Sequence, residues 1–134
     1  MLAPKRQKYR KQFRGTWRKI DVRSCNLNFG SFGLKSLEPG WIKDRQIEAA
    51  RVILARATRK TGKFWIRIFP DKPYTQKSQG VTMGAGKGEV AYFVASVTPG
   101  KMLFEVDGLV EDEVRMVLKN VASKLSVKTK IITK

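Results

Sequence analysis

The chain has no histidine and a single cysteine, Cys25. Those two shortages exclude a Cys/His zinc site, a nucleophilic mechanism built on a histidine base, and an internal disulfide. Cys25 stands in Arg23-Ser24-Cys25-Asn26-Leu27 and reads as a strand residue of middling burial rather than a reactive thiol. Acidic residues are also scarce. Eleven Asp and Glu face 28 Lys and Arg, a formal net charge of +17 over 134 residues, far beyond what solubility requires. Such self-repulsion calls for a polyanion, nucleic acid first and an anionic membrane second. No apolar run approaches the ~18–20 residues that span a bilayer, and the N-terminus begins charged with no apolar signal segment behind it. A soluble, unexported protein is therefore expected, with no membrane partner. No linker or internal repeat divides the chain, so 1–134 reads as one domain, long enough to bury roughly two thirds of its surface.

Acid is missing altogether from Met1 to Lys19, where Lys5, Arg6, Lys8, Arg10, Lys11, Arg14, Arg18 and Lys19 interleave with Tyr9, Phe13 and Trp17. Pro4, Gly15 and like-charge repulsion oppose regular structure, so residues 1–20 read as an arm that is disordered alone. Beside RNA its cations can neutralise phosphates while its aromatics stack on bases or pack on the domain; the alternative is a merely solvated tail.

The globular part, 21–134, is organised around Lys63-Phe64-Trp65-Ile66-Arg67-Ile68-Phe69. Its aromatic and β-branched residues suit a buried strand in the middle of a sheet. Pro70-Asp71-Lys72-Pro73 then opens a loop over 71–89 that ends in Gly84-Ala85-Gly86-Lys87-Gly88, a flexible and partly basic finger. Before the strand, Val22 to Leu37 reads as extended, with a bulge or close backbone approach at Gly30 and Gly33. Glu38-Pro39-Gly40 marks a turn, and Asp44 reads as the N-cap of a helix reaching about Lys60. Its stripe is Ile47, Ala50, Leu54 and Ala57; its other face carries Arg45, Arg51, Arg56, Arg59 and Lys60, an RNA contact or a solvated face. After the loop come a strand over Val90 to Val97, expected to pair with the central one, and a hairpin partner at Met102 to Val106. A second amphipathic helix follows from about Val110 to Leu125, and a last strand from Val127 to Thr133. Acids concentrate from Glu105 to Glu113, so that end should face away from a polyanion. The fold class is α+β, an antiparallel or mixed sheet with two helices packed on it.

The glycine loop does not fit a nucleotide-binding motif. A P-loop would require glycine where Val81 stands and a hydroxyl residue where Gly88 stands; the dinucleotide pattern would require glycine at Glu89. Lys87 and the loop amides suit RNA phosphates instead. The carboxylates at Glu111 to Glu113 are explained by a helix N-terminus and those at Glu105 and Asp107 by a turn, which leaves no acid/base pair, no metal site, no cofactor site and no enzyme.

Several segments together resemble a known family. They are Lys5-Arg6 with the arm behind it, Phe29-Gly30-Ser31-Phe32-Gly33-Leu34-Lys35, Arg45-Gln46-Ile47-Glu48-Ala49-Ala50-Arg51, the strand running into Phe69-Pro70-Asp71-Lys72-Pro73, and Met83-Gly84-Ala85-Gly86-Lys87-Gly88. In this order and over nearly the whole chain they look like the bacterial-type large-subunit ribosomal protein of the L-sixteen family. The resemblance implies a hammerhead-like α+β fold seated on large-subunit rRNA near the aminoacyl-tRNA site and the peptidyl-transferase region. It further implies a role in tRNA positioning and late subunit assembly, without catalysis. The implied partners are large-subunit rRNA, A-site and P-site tRNA, the 5S rRNA region and neighbouring ribosomal proteins, with no homo-oligomer. The setting would be a ribosome of a bacterial cytoplasm, a mitochondrial matrix or a plastid stroma. A free-standing RNA chaperone or assembly factor that visits ribosomes is the alternative.

Carried over residue by residue, the eight arm cations and Arg51, Arg56, Arg59, Lys60, Arg67 and Lys72 stand at or near basic positions of the family pattern and are the implied rRNA contacts. Thr82, Met83, Gly84, Ala85, Gly86, Lys87 and Gly88 form the implied loop facing tRNA. Two positions depart from the pattern: Thr82 replaces the usual arginine before Met-Gly, and Ala85 the frequent lysine between the two glycines. The fingertip has lost up to two charges, and an arginine-directed modification cannot occur there.

Overall fold

A computed structural model describes residues 2–16 and 19–134. The described elements are β1 (Phe32–Ser36), β2 (Gly40–Lys43), α1 (Asp44–Ala57), β3 (Lys63–Ile66), β4 (Lys72–Gln76), β5 (Glu89–Val97), β6 (Met102–Asp107), α2 (Glu111–Ala122) and β7 (Thr129–Thr133). They form two antiparallel sheets, a large one in the order β3-β6-β1-β7 and a small one in the order β2-β5-β4. The two helices pack on each other, α1 against β2, β3 and β5 and α2 against β1 and β7. The α+β class expected from the sequence is the class observed.

Both helices form because their apolar residues recur at helical spacing. Ile47, Ala50 and Leu54 of α1 and Val114, Leu118 and Val121 of α2 are all fully buried, meeting Leu34, Ile42, Val97, Leu103, Phe104 and Val106 from the sheets. Helix α1 starts one residue earlier than its acidic residue suggests: Lys43 is the N-cap, its amide donating to the Gln46 side chain at 2.9 Å, and Asp44 is the first helical residue. It also stops at Ala57, where Thr58 donates its amide and its hydroxyl to the Leu54 carbonyl, both at 2.9 Å.

Several strand expectations are corrected. The aromatic strand β3 lies at an edge, paired only with β6 (Phe64↔Val106, Ile66↔Phe104), and its expected partner β5 belongs to the other sheet. The apolar run is accounted for by cover on both faces: Phe64 and Ile66 pack on the core, and Phe29 stacks on Trp65 at 5.9 Å. The turn at Pro99-Gly100 exists, but β5 and β6 do not form a hairpin; the chain crosses there from the small sheet to the large one. The finger starts later than expected, because β4 occupies the first part of 71–89. Pro73 is tolerated there because β4 is an edge strand. The bulge in β1 falls between Leu34 and Lys35, whereas Gly30 and Gly33 do provide close approaches. Cys25 is half-buried as expected but lies outside any strand.

Candidate nucleic-acid interface

The outer face of the small sheet is built by strand alternation. In register, Trp41 opposes Ser96, Lys43 and Lys72 both oppose Val94, and Tyr74 opposes Tyr92, so these residues share one face while Ile42, Ala95 and Val97 point to the core. The rings form a continuous row: Trp41 meets Tyr74 edge-on at 5.6 Å, and Tyr74 stacks on Tyr92 at 4.8 Å. Cations lie over this row. Arg14 and Lys72 stand 5.6 and 5.5 Å from the Trp41 ring, and Lys43 stands 4.9 Å from Tyr92.

The arm docks along this face instead of trailing in solvent, which corrects the expectation of a disordered segment. Gln7 donates to the Asp71 carbonyl at 3.0 Å, Lys11 to the Lys87 carbonyl at 2.8 Å, and Lys72 to the Arg14 carbonyl at 2.6 Å. Lys87 donates to the Gln12 carbonyl. Glu89, at the start of β5, binds Arg10 at 2.7 Å and Lys11 at 3.5 Å. Leu2 packs against the core. The arm thereby fixes the neck of the finger, and an acid placed in an otherwise basic region makes the joint.

Beyond the neck the finger is open. Gly80, Gly84, Gly86 and Ala85 all have positive φ, and Met83 is 94% exposed. Lys77 donates to the carbonyls of Thr82 and Gly84, drawing the tip back on itself. Gly88 is required at the neck, where a Cβ would come within 2.7 Å of the Gln76 backbone across the hairpin.

A second polar centre lies in the large sheet. Glu105 is fully buried, pairs with Arg67 through Oε1, and accepts at Oε2 from the amides of Asn28, Phe29 and Gly30 at 3.1, 2.7 and 2.8 Å. Burial pushes its carboxyl up, but the amides of Gly30 and Phe29, the Arg67 guanidinium and the Asn28 amide together outweigh this and hold it below the usual carboxylate range. No group of three or more His, Cys, Asp or Glu able to hold a metal occurs among the described residues. None of the helices described is long and apolar enough to cross a membrane.

A protein-family model described as ribosomal protein L16p/L10e matches residues 4–132. The chain belongs to that family. It is 52% identical over 136 residues to large ribosomal subunit protein uL16 of Buchnera aphidicola subsp. Cinara cedri (strain Cc), covering all of this chain and 98% of the relative. It is 49% identical over 134 residues to uL16c of Emiliania huxleyi and 48% identical over 132 residues to uL16c of Tetradesmus obliquus. Those matches cover 100% and 98% of this chain, and 97% and 96% of the relatives. As a member of the L16p/L10e family it is a structural constituent of the large ribosomal subunit, not an enzyme, and works among ribosomal RNA and ribosomal proteins.

Against that family background the sequence-derived site residues separate into groups. Arg10, Lys11, Arg14, Lys72 and Lys87 converge on the docked arm and the small sheet, while Lys5, Arg6, Lys8 and Lys19 are exposed along the arm. Arg56, Arg59 and Lys60 are exposed at the end of α1, where Arg51 is bound to Glu48 at 2.6 Å. Arg67 is largely consumed by Glu105, its side chain 14% exposed. Trp17 and Arg18 lie outside the described residues. Sequence reasoning missed Trp41, Lys43, Tyr74 and Tyr92. The alternation Trp41-x-Lys43 was the available signal, obscured because β2 is only four residues long.

Proposed function

We propose that this chain holds large-subunit rRNA through its arm (residues 1–20), the outer face of the small sheet and the basic end of α1. The finger is presented toward tRNA in the aminoacyl and peptidyl sites. The whole of 1–134 acts as one domain, supporting tRNA positioning and late subunit assembly. Lys5, Arg6, Lys8, Arg10, Lys11, Arg14, Arg18 and Lys19 on the arm, with Lys72, Arg56, Arg59 and Lys60, supply phosphate contacts. Arg51 and Arg67 contribute through the surfaces they shape, and residues 82–88 supply the tip. The observation that carries this is the convergence of arm, β4 and finger cations beside an aromatic row, in a chain of net charge +17.

Binding of the full chain to a large-subunit rRNA fragment, titrated across salt concentrations, tests it. Neutralisation of about ten phosphates gives a slope of log K against log salt near −7 to −9. A flat response would refute the proposal. With Thr82 and Ala85 uncharged, the finger's cations are Lys87 at its neck and Lys77 folded back on its tip, so the weight of the slope should lie on the arm and sheet.

A further inference from the structure

Phosphate binding explains the cations of the small sheet but not its rings. Beside Trp41 and Tyr74 lies a cleft of about 230 Å³, walled by Phe13, Trp41, Pro73 and Tyr74 and rimmed by Arg14, Lys72 and Lys87. It is smaller than the roughly 300–1,000 Å³ of a drug-sized ligand site and suits a single flat ring. Phe13 stands at its mouth with 94% of its surface exposed, on an arm otherwise anchored by hydrogen bonds. An apolar ring in that position fills no core. The facing Trp41 already lies between Arg14, Lys72 and Tyr74, so the wall is formed by the protein alone.

The rim cations are also only partly used. Lys72 and Lys87 each direct one hydrogen bond to an arm carbonyl, and an ammonium carries three donors. Donors remain for a phosphate on either side of whatever enters. A base within a duplex is paired and stacked on both faces and cannot reach such a slot, whereas an unstacked base in a loop or bulge can.

We propose that this cleft receives one unstacked base of single-stranded rRNA. The base stacks on Phe13 against the Trp41 and Tyr74 corner, with its flanking phosphates on Arg14, Lys72 and Lys87. The site deepens the RNA-binding function proposed above and rests on it: there the cations give charge neutralisation, here the rings select unpaired RNA.

The test compares the full chain with its Phe13→Ala and Phe13→Trp variants, using a six-nucleotide single-stranded RNA and a blunt RNA duplex as probes. Phe13 is exposed, so its replacement leaves the fold intact, which an unchanged melting curve verifies. Phe13→Ala should weaken single-strand binding about 5- to 150-fold, the range of one lost base stack, without changing the salt slope or duplex affinity. Phe13→Trp should restore it. Equal losses for both RNAs, or no loss for either, would overturn the base site while leaving RNA binding standing. Failure of the unmodified chain to bind either RNA would overturn both.

Discussion

Arg67, next to the edge strand β3, pairs with the fully buried Glu105 of β6, whose second oxygen gathers the amides of Asn28, Phe29 and Gly30. The same guanidinium lies 5.1 Å from the Phe29 ring, and Phe29 covers Trp65. One carboxylate thus ties the segment before β1 to the outer edge of the large sheet. Removing Arg67 leaves that charge buried without a counter-ion, so Arg67→Met should cost about 3–5 kcal/mol in urea unfolding. Adding Glu105→Gln should recover part of the loss. A single-variant cost below about 1 kcal/mol would show that the pair does not hold the edge.

Acid should weaken the fold for the same reason. The Glu105 carboxyl is held low, as are Asp21, where burial is outweighed by the Ser24 and Arg23 amides and by Lys101, and Asp107, through the Ser31 hydroxyl. A carboxylate whose folded pKa is depressed stabilises fully above its unfolded value and loses that contribution as pH falls through the folded one. Stability should therefore be level from neutrality to about pH 5 and decline below about pH 4. Denaturant midpoints measured across that range check it; the Arg67→Met/Glu105→Gln variant should decline less steeply.

Gly30 should not tolerate a methyl group. A Cβ there would lie 2.6 Å from the Val106 carbonyl oxygen and 2.9 Å from its nitrogen, both backbone atoms that cannot turn aside. Gly30→Ala should destabilise by at least about 1–3 kcal/mol. Gly80 faces open space, and its alanine variant should lose only the roughly 1–2 kcal/mol of a left-handed backbone. Thermal melts of the two variants check both costs, and a Gly30→Ala protein as stable as the parent would contradict the close approach.

Restoring a charge at the fingertip should be felt by RNA and not by the fold. Thr82 is exposed, so Thr82→Arg should leave unfolding unchanged while tightening rRNA binding and steepening the salt slope by about 1. An unaltered slope would mean that the tip touches no phosphate.

The helices were legible because burial of one face imposes a period that three or four residues reveal, as at Ile47, Ala50 and Leu54. Position within a sheet was not. The run Phe64-Trp65-Ile66 signals that both faces of a strand are covered, and here Phe29 from a distant loop supplies one cover, so an edge strand reads like a central one. Pro73 hid β4, since a proline argues against a strand unless its missing donor faces outward. The split of β5 and β6 between two sheets leaves no trace in a turn signal that serves a hairpin equally well.

The site was partly readable for a similar reason. Arm, finger and Lys72 stood out as charge, which needs no partner to be noticed. The docking of the arm depends on Glu89 and on carbonyl groups that every residue possesses, and the aromatic row depends on a register between β4 and β5 that composition does not encode.

β1 lies between β6 and β7, pairing Phe32 with Val106 on one side and with Thr133 on the other. The second partner of β1 thus lies about a hundred residues beyond it in the chain, and long-range pairing of that kind closes slowly. Closure of the large sheet therefore rests on Thr129–Thr133, and a chain lacking those residues would leave one edge of β1 unpaired.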